Sequence, residues 1–350
     1  MTTDELLAAC ARLAETDALR DGALAALQEL AQSKTYRVWA DGVGQAQPFI
    51  IDGQTRAVLT RCGLASGQGA LAGRINEHVG RLFLTDGVWV DPGRRVFPFC
   101  DESAALLAQA HHLGWVQRSH CVVDLAGGSG HTAWALNRPL QWMFDISPRA
   151  LAFAQLNRVL NSLDPQRYLS SQNDIRQGIP PLGGQARAGD LLFLANMPFG
   201  PAPWGGLLPQ TSDGGPAGMS LQRSTFEALR QWAAGSPRPG TVRALIMGVS
   251  LGCARSDRWM LHDEAAEIFG AHRTRWHLCA DPLLRINGRR AMANPSPVEA
   301  ALPALADCTL YHPEPAWRET ARQAWRELAR QHTSQGLSDV AYGIVALELN

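Results

Sequence analysis

Asn196-Met197-Pro198-Phe199 is the stretch whose residue types and order could do chemistry. It follows the apolar run Asp190-Leu191-Leu192-Phe193-Leu194-Ala195, which reads as a buried parallel strand. The Asn196 side-chain oxygen and the backbone carbonyl of residue 197 supply two hydrogen-bond acceptors. Pro198 biases Met197 toward an extended conformation and so fixes that carbonyl; Phe199 offers a face for a flat group. A planar amide or aromatic amine is a poor nucleophile because its lone pair is delocalised. Two acceptors on its N–H groups would aim that lone pair at an electrophile, and such alignment contributes on the order of 7–11 kcal/mol. A carbonyl-lined site also stabilises positive charge spreading in a transition state. The plainer alternative is that residues 196–199 only end a strand.

Upstream, Cys121-Val122-Val123 leads into Asp124-Leu125-Ala126-Gly127-Gly128-Ser129-Gly130. Glycine there lets the chain turn sharply and lets backbone approach a ligand without a Cβ in the way. The next expected strand, Gln141–Asp145, ends on a carboxylate suited to both hydroxyls of a ribose. Ser147-Pro148 behind it reads as a helix N-cap with proline in the first turn. Gly128-Ser129-Gly130-His131-Thr132-Ala133 also satisfies the relaxed dinucleotide fingerprint, so the turn alone leaves the nucleotide cofactor open. Asp174, after a third strand, is placed either to accept from an adenine amino group or to sit on a loop surface.

The elements that must position these residues alternate from residue 121 onward, the pattern of a parallel sheet with crossover helices. Strands are expected at 121–125, 141–145, 167–171, 190–195, 242–247, 274–279 and 342–349. Residues 200–219, rich in Gly and Pro, form a long loop of the functional or mobile kind. Trp204 within it could close over a substrate or pack on the sheet. Residues 314–332 read as an amphipathic helix with Trp317 and Trp325 toward the core. Asp101-Glu102-Ser103 is expected to cap a helix over 104–113. Before that, residues 4–31 repeat leucines at helical spacing, with a break near Asp21-Gly22. Short strands are expected at Tyr36–Trp39, Phe49–Ile51, Leu82–Leu84 and Val88–Val90, the last two joined by a Thr85-Asp86-Gly87 turn. Asp91-Pro92-Gly93 marks a boundary, giving an N-terminal α+β accessory or substrate-recognition domain over 1–95 and a cofactor-binding catalytic domain over 96–350.

Val122–Gly130, Asp145-Ile146-Ser147-Pro148-Arg149-Ala150-Leu151-Ala152 and Asn196–Phe199 together resemble class I S-adenosylmethionine-dependent methyltransferases with an Asn-Pro-Pro-Tyr/Phe motif, a group that includes release-factor glutamine methyltransferases. Asp213-Gly214-Gly215-Pro216-Ala217-Gly218 resembles the glycine-containing segment that follows the motif in glutamine-methyltransferase-like proteins. The resemblance covers about residues 96–350. It implies an α/β, Rossmann-like sheet, mostly parallel with its last strand antiparallel. S-adenosylmethionine is then the cofactor, held by Asp124, Ala126, Gly127, Gly128, Gly130, Asp145, Ile146, Asp174 and Asn196, with Asp124 near its methionine portion. Asn196, Met197, Pro198 and Phe199 become the catalytic element. Phe97, Phe99, Phe199 and Trp204 become candidates for the acceptor pocket, with core packing the plainer role for Phe97 and Phe99. The chain departs from the group at Met197, which replaces the first proline, and at Ala126, which replaces the first glycine of the turn.

The implied activity is N-methylation of a small-molecule or amino-acid-like amine or amide by in-line transfer. Protein-glutamine or rRNA-base N-methylation, C- or O-methylation, an NAD-dependent oxidoreductase and an inactive binding module are the alternatives. Thirty-two basic residues balance thirty-two acidic ones, which gives no generic attraction to phosphate backbones. Lys34 is the sole lysine, and no Tyr-Lys or His-carboxylate pair for hydride transfer is evident. Arg94-Arg95 and Arg289-Arg290 read as solvated. The seven cysteines and ten histidines show no metal-ligand spacing, and His111-His112 reads as a helix-surface pair. No apolar run is long enough for a bilayer and no signal peptide is evident, so the expectation is a cytoplasmic protein with no membrane partner.

Overall fold

The computed structural model describes residues 1–33, 48–87, 90–91, 93–97, 100–187, 189–235, 240–279, 285–286, 289–290, 293–307 and 315–349. The expected strand Tyr36–Trp39, Val88 and Trp89, Phe99 and the side chains of Arg289 and Arg290 lie outside these residues. The fold is α/β and Rossmann-like: parallel strands with crossover helices and an antiparallel last strand. The chain divides into two compact units, Met1–Cys100 with Ala126–Gln172, and Asp101–Leu125 with Asn173–Asn350.

In the first unit, Thr2 and Glu5 form a capping box that starts the helix Thr3–Glu15. The helix break falls at Thr16 rather than Gly22. Thr16 is extended, and its hydroxyl accepts from the Leu19 N–H at 3.2 Å, so one residue ends the first helix and caps the next, Asp17–Gln32. Gly22 lies inside the second helix, facing Val58 of the helix Gly53–Cys62. Leu6, Ala9, Leu13, Leu27 and Leu59 share a buried cluster with Phe153, Leu156 and Leu160 of the helix Pro148–Leu160. That helix has Ser147 as N-cap and Pro148 in its first turn, as the sequence suggests. It links the parallel strands Leu140–Asp145 and Tyr168–Gln172.

The hairpin of this unit lies one segment earlier than expected. Arg74–His78 pairs antiparallel with Arg81–Thr85 through Val79 and Gly80, both at positive φ, the backbone a two-residue hairpin turn needs. Asp86 is fully buried instead of forming a turn. It accepts from the Val96 N–H at 2.8 Å and from Arg149 Nε at 2.8 Å. Phe49–Ile51 contributes only an isolated bridge, Ile50 to Ala70. Arg94 is exposed, but Arg95 is buried with its guanidinium 5.9 Å from the half-buried Phe97 ring, which corrects the solvated reading of this pair.

In the second unit, the strand Leu191–Ala195 runs parallel to Cys121–Asp124 on one side and to Val242–Cys253 on the other. Asp339–Glu348 is antiparallel to Val242–Cys253, and Thr274–Leu278 is antiparallel to Asp339–Glu348. Every residue of Leu191–Ala195 is buried. The helix Ser220–Gly235 covers this strand through Trp232, whose ring meets Phe193 edge-on at 5.0 Å. The helix expected at 104–113 begins at Asp101 and ends at His112. Ser103 is therefore not a cap; it shares the buried face with Leu106, Leu107 and Ala110. In the helix Pro315–Ser334, Trp325 is fully buried but Trp317 is 42% exposed, so only one of the two expected tryptophans faces the core. Among the described residues no helix is long and apolar enough to cross a membrane.

Candidate functional site

In the first unit the three glycines of the turn have three different jobs. A Cβ on Gly127 would lie 2.7 Å from Met143 Cβ, so Gly127 lets the turn pack on the neighbouring strand. Gly130 has φ +85° and would collide with the Trp134 ring at 2.6 Å. Gly128 has φ +54° and nothing within 4 Å of its missing Cβ. It is the open member of the turn, where backbone can meet a ligand. Gly128→Ala is expected to cost about 1–2 kcal/mol of stability from φ alone, read as a lowered denaturant midpoint at unchanged slope.

Asp145 ends its strand as expected, and the turn holds its carboxylate. The Gly128 N–H donates to Oδ2 at 2.9 Å and the Ser147 N–H donates to Oδ1 at 2.8 Å. Each oxygen keeps further acceptor capacity, so the carboxylate is oriented in advance for a pair of hydroxyls. Burial pushes its pKa above the ordinary carboxylate value, against the two backbone donors. Ile146 beside it is 41% exposed, an apolar surface next to the carboxylate. Ala126 is half-buried.

In the second unit, Asp124 is buried and closes its strand in register with Leu194. The Leu125 N–H donates to the Leu194 carbonyl at 2.8 Å. Asn196 lies two residues beyond Leu194, so Asp124 and Asn196 stand at the same C-terminal edge of adjacent parallel strands, the usual position of ligands in open α/β sheets. The Asn196 Nδ2 donates to Ser103 Oγ at 3.0 Å, which fixes the direction of the side-chain amide. Met197 is buried. Gln222 Nε2 reaches the Pro198 carbonyl at 3.4 Å from the helix Ser220–Gly235. The half-buried Phe199 ring meets Tyr342 edge-on at 5.7 Å.

Residues 200–219 are built onto the motif instead of hanging free. Gly200 and Asp213 form a parallel bridge, and a Cβ on Gly214 or Gly218 would run into Phe199 backbone at 2.7 and 2.4 Å respectively. The buried Trp325 indole donates to the Pro201 carbonyl at 2.8 Å, and His332 contacts the Pro216 carbonyl at 3.2 Å. Trp204 stays 44% exposed within this otherwise anchored segment. Asp174 is engaged by Arg176 in an ion pair of 2.6 Å, and that guanidinium holds its carboxyl below the usual range.

No protein-family model matches the chain, and no curated protein matches it. Several solved structures are similar in backbone, three of them as follows. A Galdieria sulphuraria protein assigned as a sarcosine dimethylglycine methyltransferase has a TM-score of 0.40 and 13% identity, over 71% of this chain and 84% of that one. The [4+2]-cyclase SpnF has a TM-score of 0.39 and 15% identity, over 74% and 84%. The phosphoethanolamine N-methyltransferase 2 of Haemonchus contortus has a TM-score of 0.38 and 11% identity, over 70% and 52%.

The sequence reading gives Ser103 only as part of a helix cap and does not single out Gln222. Both act on the motif from other elements, and only a buried polar residue on an apolar helix face hints at either. Ser103→Ala is expected to cost about 1 kcal/mol of stability, the worth of one ordinary hydrogen bond, read as a lowered denaturant midpoint at unchanged slope. Among the described residues no group of three or more His, Cys, Asp or Glu could hold a metal ion.

Proposed function

We propose that the chain is an S-adenosylmethionine-dependent methyltransferase acting on a nitrogen of a small-molecule or amino-acid-like amine or amide. The observation that carries this reading is the Asp145 carboxylate, gripped by the Gly128 and Ser147 N–H groups beside the glycine of the turn whose Cβ position is open. This donor set fits a nucleoside. Asp145 accepts from the two ribose hydroxyls, Gly128 lets backbone approach the rest of the molecule, and Ile146 offers an apolar face to the adenine. Ala126 and Gly127 belong to the same turn.

S-adenosylmethionine supplies a methyl on a sulfonium, and its loss to a nucleophile leaves a neutral thioether. The remaining work falls to the chain. Asn196 Oδ1 and the Met197 carbonyl accept the acceptor's N–H groups and turn its lone pair toward the methyl carbon. With the cofactor bound, the N–C bond would form as the C–S bond breaks, and the nitrogen would shed a proton to water. Phe199 stacks on a flat acceptor and Trp204 covers it. Alignment of this kind is the main source of rate.

The test is incubation of the full chain with S-adenosylmethionine labelled in its methyl group and an extract of cells lacking the protein, followed by mass spectrometry. A labelled N-methyl small molecule supports the reading. Label on a protein glutamine or an rRNA base moves the acceptor to a macromolecule, and label on carbon or oxygen refutes the nitrogen assignment. No label above that of the Asn196→Ala chain refutes the reading as a whole.

A further inference from the structure

The second edge of the Arg81–Thr85 strand would leave backbone groups of Leu82 and Leu84 unpaired, since the first edge is taken by Arg74–His78. Two asparagines of the helix Pro148–Leu160 and its C-terminal end meet them. Asn161 Oδ1 accepts from the Leu82 N–H at 3.1 Å and its Nδ2 donates to the Leu82 carbonyl at 2.7 Å. Asn157, one turn earlier, repeats the pattern: its Oδ1 accepts from the Leu84 N–H at 2.7 Å and its Nδ2 donates to the Leu84 carbonyl at 2.9 Å. Each side-chain amide acts as a short surrogate strand, as a planar group with one donor end and one acceptor end can.

The two differ in their remaining bond. Asn161 Nδ2 turns back to the Asn157 carbonyl at 2.8 Å, within its own helix. Asn157 Nδ2 reaches the Ser129 carbonyl at 3.0 Å, in the glycine turn. Ser129 sits between the open Gly128 and the left-handed Gly130. The turn is thus tied on two sides, by Asp145 at the Gly128 N–H and by Asn157 at the Ser129 carbonyl. Asn157 is fully buried. An asparagine at that depth is kept only where its amide is satisfied, and both its oxygen and its nitrogen are.

We propose that Asn157 is a positioning residue for the cofactor: it holds the Gly128–Gly130 turn in its binding shape by tying the Ser129 carbonyl to the edge of the Arg81–Thr85 strand. It acts through the turn and touches no ligand itself. The proposal rests on the reading of that turn as the S-adenosylmethionine site. Asn161 is its built-in control, because it makes the same two bonds to the strand and none to the turn.

The experiment titrates S-adenosylhomocysteine calorimetrically into the full-length wild type, Asn157→Ala and Asn161→Ala, with thermal unfolding of each. Spectra of protein labelled with ¹⁵N-glycine follow the Gly128 and Gly130 amides without ligand. Both alanine variants lose strand bonds and are expected to unfold at similar, lowered temperatures. Asn157→Ala is expected to bind about 5–10-fold more weakly than Asn161→Ala, the effect of one buried hydrogen bond, and to shift the two glycine amides where Asn161→Ala does not. Should Asn157→Ala fail to fold, Asn157→Asp is measured in its place; it is isosteric, still accepts from Leu84, and has no donor for Ser129. Equal affinities in the two asparagine variants, or glycine amides that move alike in both, overturn this proposal alone. A wild type that does not bind S-adenosylhomocysteine overturns the cofactor reading and this proposal with it.

Discussion

Asn196→Ala is expected to lower methyl transfer about 10²–10³-fold, the usual effect of removing one preorganised polar group from a reacting centre, while S-adenosylhomocysteine binds with unchanged affinity. The split follows from where Asn196 is held. Its amide nitrogen is fixed by Ser103 on the helix Asp101–His112, so its oxygen is aimed by the protein and not by the ligand. Burial of the Met197 side chain and the Gln222 contact to the Pro198 carbonyl hold the backbone that follows Asn196. An affinity loss equal to the rate loss would assign Asn196 to cofactor binding instead. Rates with labelled donor and a titration of the same preparation decide between the two.

Asp145→Ala is expected to weaken S-adenosylhomocysteine binding by about 10²-fold or more, since two hydrogen bonds to a charged carboxylate are worth about 1.5–3 kcal/mol each. The variant also strands the Gly128 and Ser147 N–H groups that the carboxylate now accepts. The same residue sets a pH dependence. Burial raises its pKa, so as pH falls Asp145 is protonated at a higher pH than an ordinary carboxylate. Cofactor affinity therefore declines on acidification from above the usual carboxylate range. Its effect on the unliganded fold has the opposite sign: the charged form is the one burial penalises, so this residue's contribution to stability improves as pH falls through its folded pKa. Asp145→Asn removes both dependences. Titrations across the acid range check this, and an affinity that is flat from neutral pH down to the ordinary carboxylate value would contradict the role.

The strands Cys121–Asp124, Leu191–Ala195 and Val242–Cys253 were legible because apolar runs bounded by glycine or proline have few other readings. The glycine turn, Asp145 and the Asn196–Phe199 stretch were legible for a related reason: each is a local pattern of residue types. What escaped is non-local. Ser103 meets Asn196 across 93 residues, Gln222 meets Pro198 across 24, and Asn157 meets Leu84 across 73. Local chemistry also misled where a partner outcompeted it. Asp86-Gly87 has turn composition, but Arg149 draws Asp86 into a buried ion pair, and the hairpin forms instead at Val79-Gly80. Gly22 invites a helix break, but Thr16 already supplies an extended cap, and a glycine facing Val58 serves helix packing. The loop 200–219 read as functional or mobile by composition; its glycines are what let it seat on Phe199. Trp317 fell on the apolar side of a helical wheel, yet the cluster beneath that helix is filled by Trp325, Leu328 and Ala329.

A crystal structure of the full chain grown with S-adenosylhomocysteine tests the central claim most directly. The account predicts both ribose hydroxyls on the Asp145 carboxylate, with the ligand in contact with the open Cα of Gly128. A ligand bound away from Asp145, or crystals that never take it up at saturating concentration, would contradict it.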